Sequence, residues 1–403
     1  MRAMADESAP PIKTLRAKLA PVYQPLFPEL FDRPEVVETR ATCDTCAMCN
    51  QGQLAPVAMD YFTPDAKCCT YHPGLPNYLV GAILADTGEE LAEGRRRLRK
   101  RIAARIGVTP RYVQAPRKYN LIYSAARGTG VFGRTKALLC PYFDEENGGR
   151  CTVWRYRESV CSTYFCKYPA GKPGWEFWDS LKSYLSTVER SLALWSAMEI
   201  DKTVSEPNLE RYSLTLEDVE DRAPNDVDYA SYWGAWVGRE EAFYIACYEK
   251  VRGLDRAEFA RNIDDSPEGR GYLAQLEAKY DAIPSKELPL TLIRSKNMKK
   301  RITDDAIVVT SYNPFDAFSM EKELFEVLGK FKETETVEEN LRRLDNEEDI
   351  QLAPELLHYL YVHGVLVAPE KKKPEAAPVK PPKSTIVTTR HQRRVERKEK
   401  LGK

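Results

Sequence analysis

The sequence predicts an α+β chain, and three observations carry that prediction. Nine of the ten cysteines fall between Cys43 and Cys166, in a stretch broken repeatedly by turn signals. Leu181, Leu185, Val188, Leu192 and Trp195 make an apolar stripe of helical period, as do Trp233, Val237, Phe243, Cys247 and Val251. Beyond residue 286 the order of signals is strand, three helices, strand. The expected architecture is a loop-rich cysteine/metal domain followed by a helical segment and a small winged-helix-like unit.

Taken in order, residues 1–41 are proline-rich and read as an extended lead-in. Residues 42–175 form the cysteine-cluster metal-binding domain. One helix is expected within it, marked by Leu91, Leu98, Ile102 and Ile106 and stopped by Gly107 and Pro110. Residues 176–285 hold the two helical stripes, punctuated by Pro207, Pro224 and Pro267; Cys247 lies on the second stripe and reads as a small core thiol. In residues 286–369, residues 307–309 read as a strand and Ser319 as the cap of a helix bearing Leu324, Phe325, Leu328 and Phe331. Thr336 with Glu339 is a capping box. Pro354 suits the first turn of a third helix, Gly364 suits its stop, and residues 365–367 return as a strand. The tail, 370–403, lacks the apolar residues to build a core and is expected to be disordered.

Composition excludes some function classes. Sixty Lys and Arg balance sixty Asp and Glu, so the chain as a whole is neither a basic nucleic-acid binder nor an acidic solvating polymer. The tail alone carries twelve Lys and Arg against four Glu. The first residues contain no apolar run of signal-peptide type. The apolar stretch from Tyr78 to Ala85 is far short of the ~20 residues a membrane helix needs. The expected location is the cytoplasm, without membrane association. Thiols stay reduced there, so dense cysteines point to metal before disulfides.

The candidate ligands are Cys43, Cys46, Cys49, Cys68, Cys69, Cys140, Cys151, Cys161 and Cys166. A two-residue spacer lets two thiolates meet one cation from a tight turn, and thiolates select zinc, cuprous copper or iron–sulfur over hard cations. Nine thiols supply two four-ligand sites with one to spare. Adjacent Cys68 and Cys69 point apart in most backbone conformations, so they suit different sites. Cys43, Cys46 and Cys49 can cap three corners of a [4Fe–4S] cluster, with Cys140, followed by Pro141, as a remote fourth ligand. Cys151, Cys161 and Cys166 with Cys69 or His72 can meet the tetrahedral demand of zinc. The cofactor is thus an iron–sulfur cluster or zinc, and His72 is equally suited to a ligand or to a turn residue before Pro73.

These residues resemble the YkgJ family of cysteine-cluster proteins over about residues 43–170. The likeness rests on C-x-x-C-x-x-C at Cys43, then Cys68-Cys69, then C-x10-C-x9-C-x4-C from Cys140, with Arg157 before Cys161. Glu158 and Ser162 stand where that family often has Pro and Arg. The resemblance implies a zinc- or iron-chelating domain. Through a relative, the flagellin lysine N-methylase, it also implies an alternative: a protein lysine methyltransferase using S-adenosylmethionine and carrying an iron–sulfur cluster.

Other signals are weaker. Residues 128–133 satisfy G-x-G-x-x-G, but Cys140 follows too soon for a dinucleotide-binding helix, so a turn into the cysteine site is expected. Six cations between Arg95 and Arg101 read as the solvated face of a helix, with Glu89, Glu90 and Glu93 at pairing distance. His358 and His363 read as packing residues. No G-x-S-x-G, H-E-x-x-H or P-loop pattern occurs. A metal-binding module without turnover is therefore favoured over an enzyme. The C-terminal unit loosely resembles PqqD-like winged helices, which implies a peptide or protein partner; its recognition helix lacks a basic cluster, so nucleic acid is less attractive there.

Overall fold

The computed structural model describes residues 13–36, 46–49, 61–126, 130–206, 216–283 and 287–369. Cys43, Gly128 and the basic tail lie outside them. The described residues mix helices with small antiparallel sheets, an α+β fold. No helix among them is long and apolar enough to cross a membrane.

Residues 13–36 do not run as an extended lead-in. They fold as one-turn helices at Arg16–Lys18, Pro21–Tyr23 and Glu29–Asp32. Pro21 opens one and Pro28 caps another, positions where a missing N–H costs nothing. Leu15, Leu26, Phe27 and Phe31 are buried there, with Phe27 packed edge-on against Tyr184 and tilted against Phe259.

The cysteine region holds more helix than its turns suggest. β1 (Leu75–Pro76) leads into α1 (Asn77–Ala85), and α2 (Ala92–Ala104) carries the expected Leu98 and Ile102. β2 (Tyr112–Val113) pairs with β1, and α3 (Arg117–Ala125) follows. α1 leaves no periodic trace because almost every side chain in it is buried, so it has no polar face. β3 (Phe143–Asp144) and β4 (Arg150–Cys151) pair as a hairpin, setting Phe143 opposite Cys151. α4 (Ser159–Thr163) then leads to α5 (Gly171–Ile200), the long helix of the fold.

α5 buries Phe177, Trp178, Leu181, Tyr184, Leu185, Val188 and Leu192, the expected stripe. After the short α6 (Leu216–Val219), the second expected helix is split in two. α7 (Asp226–Trp233) stops where Gly234 and then Gly238 adopt positive φ, and α8 (Glu240–Arg252) resumes with Phe243, Cys247 and Val251 inward. α9 (Arg256–Phe259) and α10 (Pro267–Ala282) complete this core, α10 lying against α5 and α8 against α1.

A second core begins at residue 292. β5 (Ile293–Arg294) awaits the last strand, while β6 (Lys299–Ile302), β7 (Ile307–Thr310) and β8 (Phe318–Met320) form an antiparallel sheet in that order. Ser319 therefore lies in a strand; Glu321, not Ser319, precedes α11 (Lys322–Leu328). α12 (Val337–Glu348) opens with the capping box in full: Thr336 Oγ1 accepts from Glu339 N at 3.1 Å, and Glu339 Oε2 accepts from Thr336 N at 2.7 Å. α13 (Pro354–Val362) runs to Gly364 at φ +70°, and β9 (Leu366–Val367) closes on β5.

A small third cluster joins the two cores. Val308 of β7 and Ala317 pack with Met48 and Phe62, so one face of the C-terminal sheet rests on the cysteine loops.

Candidate functional site

Seven of the candidate cysteines line one cavity of about 200 Å³: Cys46, Cys68, Cys69, Cys140, Cys151, Cys161 and Cys166. Cys49 lies beside Cys46, its amide donating to the Cys46 carbonyl at 3.1 Å. Cys43 falls outside the described residues. From Cys46 to Cys166 the sequence scatters these thiols over 121 positions, and four local devices gather them.

The first device is the bend at Lys67, held at φ +51°. Its buried ammonium donates to Gly148 O at 3.1 Å and Gly149 O at 2.9 Å, tying the Cys68-Cys69 pair to the β3–β4 turn. The second is the Cys140 N–H, which donates to Cys69 O at 2.7 Å. The third is α2, whose arginines are not simply a solvated face. Arg97 donates to Pro141 O at 3.1 Å and Phe143 O at 2.8 Å, and Arg101 to Ile106 O and Gln114 O, so the basic run staples neighbouring loops. Arg96 and Arg97 also pair with Glu93 as expected.

The fourth device is Glu158. Its carboxylate caps α4, accepting from Val160 N at 2.7 Å and Cys161 N at 2.9 Å. Arg157 reaches over the same turn, donating to Cys161 O at 2.9 Å with its guanidinium 3.5 Å from the Trp154 ring centre.

Packing divides the thiols into two sets. Cys46, Cys49, Cys68 and Cys166 pack around Met48 and Phe62 in the bridging cluster. Cys69, Cys140 and Cys151 belong to the large core instead. Electrostatic coupling is strongest within these groups, although Cys68 also raises Cys140. Burial and then the Cys46 thiol push Cys49 up to about 12, and burial with Cys68 raises Cys166. Burial with Cys151 raises Cys140, and burial, Glu158 and Cys140 raise Cys161. The sets meet at the adjacent pair. The Cys69 thiol hydrogen-bonds Cys68 and, with the Arg157 cation, holds Cys68 below the ordinary thiol range; the same bond raises Cys69.

This grouping differs from the one that spacing suggested. By packing, Cys140 lies with Cys69 and Cys151, its loop bonded to Cys69, whereas spacing placed it with the Cys46 triplet; all of them line the same cavity. Cys166 joins Cys46 and Cys68. His72 is buried outside the cavity: its Nδ1 faces Pro73 O at 3.1 Å, its ring packs on Tyr119, and burial lowers its pKa to about 3. No protein-family model, curated protein or solved structure matches the chain.

Among the described residues no three His, Cys, Asp or Glu side chains are gathered about one point in metal-ligating geometry. The donor chemistry nonetheless fits zinc or iron–sulfur. The donors are soft sulfurs, the cavity wall is largely apolar, Lys67 and Arg157 supply positive charge, and the Tyr142 amide donates to Cys140 Sγ at 3.4 Å.

Sequence reasoning missed a buried acid behind the cavity. Glu189 accepts from Ser159 N at 2.6 Å, from Ser159 Oγ at 2.7 Å and from Tyr23 Oη at 3.4 Å. It stands on the core face of α5 one residue past Val188, and a carboxylate inside an apolar stripe was the available signal. Burial and then the Glu158 carboxylate hold Glu189 well above the carboxylate range. A folded-state pKa raised in this way stabilises the fold fully below the ordinary carboxylate range, and the contribution falls as pH climbs through the folded value. Glu189→Gln should therefore gain stability relative to wild type as pH rises from mildly acidic to alkaline. A melting-temperature difference that stays flat across that range would refute the assignment.

Among the described residues of the glycine motif, Gly130 and Gly133 adopt positive φ. The motif follows a helix, α3, and precedes only a one-turn helix at Lys136–Leu138. That is turn geometry, without the strand and long helix of a dinucleotide fold. A Cβ at Gly133 would fall 2.1 Å from the Phe62 ring, so this glycine lets the turn close on the bridging cluster.

Proposed function

We propose that the chain is a metal-binding cysteine-cluster protein of the zinc- or iron-chelating type, with metal held by two thiolate sets. The observation that carries this reading is the convergence of seven reduced cysteines, distant in sequence, on one cavity. One set would be Cys46, Cys49, Cys68 and Cys166, with Cys43 nearby in sequence; the other would be Cys69, Cys140, Cys151 and Cys161. An iron–sulfur cluster is favoured at the first set, where three thiols share the C-x-x-C-x-x-C run, and zinc is the alternative at both. When bound, zinc would supply a structural cross-link and a cluster would supply one-electron chemistry. The protein's own groups hold and tune the thiols: Arg157 and the Cys69 thiol favour ionised Cys68, Glu158 fixes the Cys161 turn, and Lys67 locks the bend between the sets.

The C-terminal unit supports a winged-helix-like reading, with α11, α12 and α13 between small antiparallel strands. Its edge strand β6 is exposed throughout, which suits a peptide or protein partner adding a strand.

Elemental analysis with an ultraviolet–visible spectrum of anaerobically purified protein tests the metal reading. Stoichiometric iron with broad visible absorbance that bleaches on reduction is expected for a cluster. Colourless protein with stoichiometric zinc would replace the cluster by zinc, and protein with neither metal would overturn the reading.

A further inference from the structure

A second cavity, of about 710 Å³, opens beside the cysteine site, and its wall is chemically one-sided. Among the described residues, the charged ones lining it are cations, Arg134, Lys299, Lys300 and Arg301, and the aromatic ones include Phe132 and Phe315. Register explains the cationic wall. Lys299 faces Thr310 and Arg301 faces Val308 across β6 and β7, so these four share one face of the sheet. Val308 on that face packs with Phe62 and Ala317, which turns the face toward the cysteine loops. Lys300 falls on the other face by register, its ammonium 5.4 Å from the Phe325 ring centre, and also lines the cavity.

Among the described residues, neither Lys299 nor Arg301 makes an ion pair. Two cations set side by side without carboxylates repel each other and invite an anion of matching charge. An arginine fork is suited to phosphate oxygens. Phe132 and Phe315, 5.8 Å apart and tilted at 45°, line the same cavity. The volume lies within the ~300–1,000 Å³ typical of small-ligand sites.

We propose that this cleft binds a nucleoside polyphosphate, with its phosphates on Lys299, Arg301 and Arg134 and its base against Phe132 and Phe315. The proposal is independent of the metal reading. The two cavities nonetheless share Phe132, Tyr123 and Tyr164 as a common wall, so the ligand would lie next to the thiols.

Titration calorimetry of the full chain with ATP, adenosine, tripolyphosphate and a short single-stranded oligonucleotide tests it. ATP should saturate one site per chain, with adenosine and tripolyphosphate each binding at least tenfold more weakly. The double variant Lys299→Gln/Arg301→Gln should weaken ATP at least tenfold while its melting temperature stays unchanged, since both side chains are on an exposed strand. Phe315→Leu, which keeps the cluster apolar, should weaken adenosine and ATP alike. Absence of saturable ATP binding would overturn the proposal, as would wild-type affinity in the double variant. Tripolyphosphate as tight as ATP would leave only an anion site, and affinity growing with oligonucleotide length would assign the cleft to nucleic acid; either result also overturns it.

Discussion

Cys68→Ser and Cys69→Ser, made separately, are expected to remove metal from different sets, and the double variant from both. The residues are neighbours in sequence, yet Cys68 packs with Cys46, Cys49 and Cys166, whereas Cys69 packs with the core beside Cys140 and Cys151. Serine preserves the shape but replaces a soft donor by a hard one. Cys46→Ser and Cys166→Ser should reproduce the metal loss of Cys68→Ser; Cys140→Ser and Cys151→Ser should reproduce that of Cys69→Ser. The effect on folding should be large, because metal binding is coupled to folding and structural zinc alone is worth about 10–16 kcal/mol in small domains. Metal content per chain and the melting temperature measure both. If Cys140→Ser removes the same metal as Cys46→Ser, the partition fails and the grouping suggested by spacing stands.

Gly81→Ala should be strongly destabilising, although alanine is the better helix former by about 1 kcal/mol. α1 crosses α8 at this glycine. A Cβ there would fall 1.9 Å from Tyr244 O and 2.6 Å from its carbonyl carbon, both backbone atoms that no rotamer change can move. The helices must part, and overpacking of this kind costs about 1–3 kcal/mol, sometimes more. We expect a net loss of at least about 2 kcal/mol, read by chemical denaturation. Gly271→Ala in α10 is the matched comparison: its Cβ would meet nothing within 4 Å, so propensity alone acts and the sign reverses. Equal responses at the two positions would show that the α1–α8 contact is not tight.

The mixed fold class, the long α5 stripe and the capping box at Thr336 were legible in the sequence because each has a local periodic or paired signature. α1 was not, since a helix buried on every face has no stripe to read. The break between α7 and α8 was hidden in a pattern that stays in phase across Gly234 and Gly238. Proline density in residues 13–36 pointed to extended chain, while the aromatic residues between the prolines decided the packing. At the site, the cysteines were visible as a collection, but their division was not. Local spacing favoured the triplet with Cys140; a backbone hydrogen bond from Cys140 to Cys69 and the packing of Cys166 on the bridging cluster arise only from the folded chain. Lys299 and Arg301 gave no signal, because two cations in a short exposed strand are ordinary until the register places them on one face.

The packing of residues 13–36 sets a timetable for synthesis. Arg33 is bonded to Glu277 at 3.0 Å and to Asp281 at 2.7 Å, partners 244 and 248 positions later, and Phe27 waits for Phe259. At a translation rate of ~5–20 residues per second, that interval is about 12–50 s. During it a segment bearing Leu26, Phe27 and Phe31 emerges from the ribosome before most of the surface it will cover exists. Closing so long a loop also raises the contact order, which slows folding after release. The nascent chain thus carries an aromatic segment whose packing surface stays incomplete until α10 is made.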